Sequence, residues 1–100
     1  MNYRTVATDR LMDVIASLSD REACYRFLED ACTVKEILDI AQRLEVAAML
    51  SEGQSYAVIA KQTGMSTATI SRVSRALTYG AGGYREALAR EAEKGTEDEA

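Results

Sequence analysis

The chain has 100 residues, of which 47% are hydrophobic and 28% are charged, and its formal net charge is −4 at pH 7. This length and balance predict a single globular domain over residues 1–94. The apolar runs are too short to span a membrane, and the first residues, MNYRTVATDR, lack the basic-then-apolar layout of a secretory signal, so we expect a cytoplasmic protein.

Apolar residues recur at helical spacing from the start of the chain. Their positions at i, i+3, i+4 and i+7 predict a first helix over residues 9–18. Ser19 followed by Glu22 is a capping box, in which two side chains satisfy the free amides that begin a helix, and it predicts the start of a second helix. Thr33 and Glu36 repeat this pattern before a third helix.

The third helix is predicted to run to Glu52. Gly53 follows it and can adopt the left-handed conformation that ends a helix. Residues 9–53 are predicted to be dimerisation helices, because the apolar faces of three helices exceed what two short helices can cover. We therefore expect a homodimer.

Two short helices joined by a glycine turn are predicted next. Ser55 caps a helix over residues 56–63, Gly64 ends it, and Ser66 caps a second helix that runs to about residue 78. Ala60 supplies the small side chain that lets two such helices cross closely. The arrangement predicts a helix-turn-helix over residues 55–78. The positions that should pack its two helices together are Ile59, Met65, Ile70 and Val73.

The glycine-rich run GAGG ends this motif, and a last amphipathic helix is predicted over residues 84–94. Residues 95–100, GTEDEA, are acidic and poor in apolar residues, so they are predicted to be a disordered tail. No strand pattern occurs anywhere. The predicted fold class is therefore all-α, with six helices.

The residue types argue against an enzyme. The chain has no histidine, which most nucleophile arrangements need, and no Cys-x-x-Cys pair. We expect no catalytic residue, no metal site and no cofactor; a carboxylate pair assembled by folding is the alternative that stays open. Cys24 and Cys32, eight residues apart in helical sequence, are expected to be free thiols.

Charge is distributed unevenly along the chain. Residues 54–85 contain four basic residues and no acidic one, whereas residues 1–53 contain 6 basic and 10 acidic residues and residues 86–100 contain 2 and 6. A polyanionic partner explains the acid-free segment, because carboxylates facing phosphates would be repelled. An ordinary uneven surface is the alternative explanation.

The second helix of the motif has an apolar face and an opposite face of small, polar and basic residues. That opposite face comprises Ala68, Ser71, Arg72, Arg75 and Tyr79. A recognition helix places its N-terminal residues near base edges in the major groove, where small side chains allow close approach and arginine can bind guanine. We predict that DNA is contacted by Ser55, Lys61, Ser66, Thr67, Ala68, Thr69, Ser71, Arg72 and Arg75.

A helical protein-interaction module that does not bind DNA is the competing interpretation, because helix-turn-helix geometry also occurs without DNA binding. A protein-docking site should tolerate acidic residues at its rim and contain a larger apolar patch. The acid-free segment therefore favours DNA.

The run EGQSYAVIAKQTGMSTATISRVSRAL, with the long helix before it and YGAGGYREAL after it, resembles the Trp repressor superfamily, in particular the small Trp-repressor-like DNA-binding proteins of bacteria. The similarity covers residues 9–88. It implies a six-helix Trp-repressor-like fold, an intertwined homodimer, and a transcriptional repressor that presents two helix-turn-helix motifs to a two-fold operator.

The resemblance also implies where a small-molecule effector would bind. Arg72 matches the arginine of the family's recognition helix that lines the corepressor pocket. Gln42 stands where the family has a second arginine, with Arg43 one position away and directed some 100° around the helix. Val73 and Ala76 replace a glycine and a serine. The implied effector pocket comprises Gln42, Arg43, Arg72 and Val73, and its replaced polar groups argue against tryptophan.

Overall fold

The computed structural model describes the backbone of residues 2–99 and the side chains of residues 2–95. These residues form six α-helices and no strand, which confirms the predicted fold class. The chain divides into two compact units, Met1–Ile37 and Leu38–Ala100. Among the described residues, no helix is both long and apolar enough to cross a membrane. The helices are α1 (Val6–Ser17), α2 (Arg21–Ala31), α3 (Val34–Ser51), α4 (Tyr56–Thr63), α5 (Thr67–Tyr79) and α6 (Gly83–Glu99).

Helix α1 begins at Val6, before the predicted start at residue 9. Its first turn is held by a reciprocal pair of threonines: the Thr8 amide donates to Thr5 Oγ1 at 3.1 Å, and the Thr5 amide donates to Thr8 Oγ1 at 2.7 Å. The pattern is a capping box with threonine where glutamate is usual. The prediction missed it because it relied on the apolar spacing alone.

Helix α2 is capped by Asp20, so the predicted cap at Ser19 is wrong. The Ala23 amide donates to the Asp20 carboxylate at 2.7 Å. Serine and aspartate are about equally good caps, and the carboxylate adds a favourable charge at the positive end of the helix. The predicted box before α3 is confirmed, with the Thr33 amide donating to Glu36 Oε1 at 2.8 Å and the Glu36 amide to Thr33 Oγ1 at 3.1 Å.

The first unit has no buried residue among those described in it. Helices α1 and α2 leave large apolar side chains more than a third exposed. Cys24 and Cys32 are free, as predicted, and both are half-buried. An amphipathic helix gains its stability by burying its apolar face, and this unit does so only in part. The exposed apolar residues of α1 and α2 are Val6, Leu11, Met12, Val14, Ile15 and Tyr25.

The second unit has a small buried core formed by α3, α4 and α5. Ile59 and Ile70 are 0% exposed and Val73 is 2% exposed, so the two helices of the predicted motif pack against each other through the predicted residues. Burying an isoleucine stabilises the fold by about 1.5–3 kcal/mol. The remaining core residues are Val46, Ala47 and Met49, with Leu50, Ala60, Met65, Tyr84 and Leu88 partly buried against them.

Helix α6 extends further than predicted. It runs from Gly83 to Glu99, so the predicted end at Lys94 and the disordered tail from residue 95 are wrong through Glu99. Gly95 does not take a positive φ, and a glycine without a left-handed turn costs a helix only about 1 kcal/mol. Ala100 lies outside the described residues.

Candidate nucleic-acid interface

The turn between α4 and α5 has the geometry of a helix-turn-helix. Gly64 adopts φ 73° and ψ 6°, and its amide donates to the Ala60 carbonyl, which ends α4. Thr63 ties the turn together: its hydroxyl donates to the Ile59 carbonyl at 2.7 Å and accepts from the Met65 amide at 3.2 Å. The left-handed conformation suits glycine because it has no Cβ. The predicted cap, bounds and end of α4 are all confirmed.

Helix α5 buries one face and exposes the other. Ile70 and Val73 lie in the core, and the residues on the opposite side of the helix are exposed. Of the nine residues predicted to contact DNA, eight are exposed, namely Ser55, Lys61, Ser66, Thr67, Ala68, Ser71, Arg72 and Arg75. The ninth, Thr69, is half-buried and lies beside the cap of its own helix.

The two capping serines have their oxygens occupied within the chain. Ser55 Oγ accepts from the Val58 amide at 3.2 Å, and Ser66 Oγ accepts from the Thr69 amide at 3.2 Å. The Ser66 and Thr69 hydroxyls also share a hydrogen bond of 3.0 Å. A hydroxyl that accepts can still donate, so Ser55 keeps its hydrogen for a phosphate, and Ser66 keeps its own when Thr69 is the donor.

The N-termini of α4 and α5 differ from the others in charge. Each of α1, α2, α3 and α6 has an acidic residue in its first turn, whereas α4 and α5 have none. The partial positive charge of these two helix ends is therefore not compensated by a carboxylate from the first turn. The same part of the chain carries four cations, since Lys61, Arg72, Arg75 and Arg85 are all exposed.

A groove lies beside α5, between residues of α3 and the helix-turn-helix. Its volume is about 350 Å³, and we call it the α3–α5 groove. Three of the four residues predicted for an effector pocket line it, namely Gln42, Arg43 and Arg72. The other lining residues, which the sequence did not indicate, are Asp39, Thr63, Gly64, Met65, Ser66 and Thr69.

The groove differs from the predicted effector pocket in one residue. Val73 is 2% exposed and belongs to the core, so it does not line the groove. Gln42 and Arg43 both line it, although neighbouring positions differ by 100° around a helix, because long side chains can reach the same space from adjacent positions. The groove contains one carboxylate, from Asp39, and two guanidinium groups, and is therefore strongly polar.

A six-helix chain with this turn and this exposed basic face is a helix-turn-helix protein. The chain belongs to the Trp repressor family, a family of DNA-binding transcription regulators: the family model described as Trp repressor protein matches residues 7–92.

Related proteins agree with this assignment. The chain is 56% identical over 89 residues to the "Uncharacterized protein YerC" of Bacillus subtilis (strain 168), covering 89% of this chain and 86% of that protein. The crystal structure of a TrpR-like protein from Eubacterium eligens ATCC 27750 is similar with a TM-score of 0.85 and 49% identity, over 89% of this chain and 92% of that one. A solved structure from Staphylococcus aureus has a TM-score of 0.84 and 48% identity, over 89% of each chain.

Proposed function

We propose that the protein is a sequence-specific transcriptional repressor that reads a two-fold operator through its helix-turn-helix and acts in the cytoplasm. The observation that carries this proposal is the exposed face of α4 and α5, which bears Lys61, Arg72 and Arg75 and no acidic residue. A surface that meets a phosphate backbone needs cations and must avoid carboxylates.

The exposed residues of α5 suit the major groove. Thr67 and Ala68 are small and stand in the first turn, so the backbone of α5 can approach base edges closely. Arg72, one turn further on, is the candidate for a bidentate contact with guanine. Lys61 and Arg75 are assigned to phosphates, together with the capping hydroxyls of Ser55 and Ser66.

The homodimer is part of the same proposal. The first unit exposes the apolar faces of α1 and α2, and Leu11 and Ile15 are 41% and 44% exposed. A second copy of the chain would cover such faces and also place two recognition helices about 34 Å apart, one turn of DNA. Two-fold symmetry in the protein then requires a near-palindromic operator.

Salt-dependent DNA binding tests the function. We expect the protein to bind a pool of duplexes about 20–30 base pairs long. The logarithm of the binding constant should fall linearly with the logarithm of salt concentration, with a slope of about −0.9 for each phosphate contacted. Fluorescence anisotropy across a salt series measures the slope. Absence of binding at low salt would reject the function and leave the protein-interaction module as the better interpretation.

We also propose that the α3–α5 groove binds a small polar effector and does not bind tryptophan. Its lining is charged, with Asp39, Arg43 and Arg72, and offers no apolar slot for an indole ring. A ligand that binds only the folded state raises the melting temperature. Tryptophan at millimolar concentration is therefore expected to leave the melting temperature unchanged; a clear rise that Arg72→Ala abolishes would contradict this prediction.

A further inference from the structure

Tyr79, the last residue of α5, is 83% exposed, which is more than any other tyrosine of the chain. Its hydroxyl makes no hydrogen bond with any residue whose side chain is described. Helix α5 ends immediately after it at the cap residue Gly80, where a side chain would overlap the carbonyl group of Ala76. A large aromatic ring with a hydrogen-bond donor is thus left open to a partner.

Tyr79 belongs to the face of α5 that the proposed function assigns to DNA. Ala68, Arg72, Arg75 and Tyr79 follow one another at intervals of four, three and four residues, which aligns them along one side of a helix. All four are exposed, and the core residues lie on the opposite side. Tyr79 stands one turn beyond Arg75, about 6 Å further along the axis.

The charges at this end of α5 favour an anion. The C-terminus of a helix carries about half a negative charge, which by itself would repel phosphate. Arg85 offsets it, since its Nη2 donates to the Thr78 carbonyl oxygen at 3.4 Å, and Arg75 adds a second full positive charge one turn earlier. Glu86 is the acidic residue nearest to Tyr79 in the sequence, and its carboxylate is paired with Arg90 at 2.8 Å.

We propose that Tyr79 contacts the DNA backbone, donating its hydroxyl hydrogen to a phosphate oxygen in a site flanked by Arg75 and Arg85. This inference rests on the proposed DNA binding and extends the interface to the end of α5 that lies away from the base-reading residues. Tyrosine hydroxyls are common phosphate donors, and such contacts fix the position of a protein on DNA without reading its sequence.

The variant Tyr79→Phe tests the inference, because it removes only the hydroxyl. Tyr3→Phe is the matched control, since Tyr3 is 64% exposed and precedes α1. Binding is measured by anisotropy across a salt series, on a duplex recovered from a random pool and on a scrambled duplex of the same length. We expect Tyr79→Phe to weaken both by about tenfold per subunit, the worth of a hydrogen bond to a charged group, and so by about a hundredfold for the dimer, and Tyr3→Phe to bind as the original protein does.

The salt slope identifies the kind of contact. A phenol is neutral and releases no counterion, so Tyr79→Phe should leave the slope unchanged, whereas Arg75→Ala should lower it. Unchanged affinity in Tyr79→Phe would overturn the inference, even where Tyr79→Ala binds weakly, because only the ring would then matter. A changed base preference would overturn the backbone assignment. If the original protein binds no duplex, the proposed function itself fails and this inference fails with it.

Discussion

Ile15→Asp is expected to dissociate the dimer and to lower the stability of the fold. Ile15 is 44% exposed in the single chain and lies on the apolar face of α1, which the proposed partner copy would cover. Two-fold symmetry places the substitution at the interface twice. With about 2 kcal/mol of apolar burial lost per copy, the dissociation constant should rise about a thousandfold, and burying the carboxylate would add to this.

Sedimentation equilibrium and thermal denaturation measure the two effects. Ser17→Asp is the matched control, because it introduces the same charge in the same helix, some 200° around from Ile15. The control should stay dimeric and lose about 1 kcal/mol of stability, because it removes the hydrogen bond from Ser17 Oγ to the Val14 carbonyl and places a negative charge at the C-terminal end of α1. If both variants remain dimeric with equal melting temperatures, the apolar face of α1 is not the dimer interface.

Arg72→Ala and Lys61→Ala are expected to affect DNA binding in different ways. Loss of a bidentate arginine–guanine contact costs about 1–3 kcal/mol of discrimination, so Arg72→Ala should flatten the base preference at one position of each half-site. Lys61→Ala should weaken binding to all sequences alike and reduce the salt slope by about one per subunit. Both residues are exposed, so neither substitution should cost much stability.

Arg72 also lines the α3–α5 groove, so its loss could act through the groove instead of through a base. Arg43→Ala is the control for an effect through the groove. Arg43 lies in the same groove but on α3, so its loss should leave the base preference unchanged. The measurement is the affinity of each variant for a set of single-substitution operators. Identical preference profiles for Arg72→Ala and Lys61→Ala would show that the assignment of one to bases and the other to phosphates is wrong.

The predictions from sequence succeeded where a local pattern determines the structure. Ser55 and Gly64 fixed both ends of α4 because a capping hydroxyl and a left-handed glycine act within a single turn. The start of α2 was misplaced because Ser19 and Asp20 are competing caps one residue apart. The end of α6 was misplaced because Gly95 breaks a helix only when it adopts a positive φ.

The candidate site also has features that a local sequence pattern predicts and features that it does not. Exposure along α5 follows from helical periodicity, which separates Ala68 and Arg75 from Ile70 and Val73. The α3–α5 groove depends on residues far apart in sequence, such as Asp39 and Thr69, and no local pattern brings those two together. Arg85 was missed for a similar reason, because its position at the end of α5 depends on the turn between α5 and α6.

The central claim is that a dimer of this chain reads a two-fold DNA sequence. Selection of duplexes from a random pool, followed by sequencing of the bound fraction at several salt concentrations, tests it most directly. We predict a near-palindromic motif whose half-sites are about 10 base pairs apart, bound at least about a thousandfold more tightly than unrelated DNA. Enrichment of no motif, with only weak and sequence-independent binding, would contradict the claim.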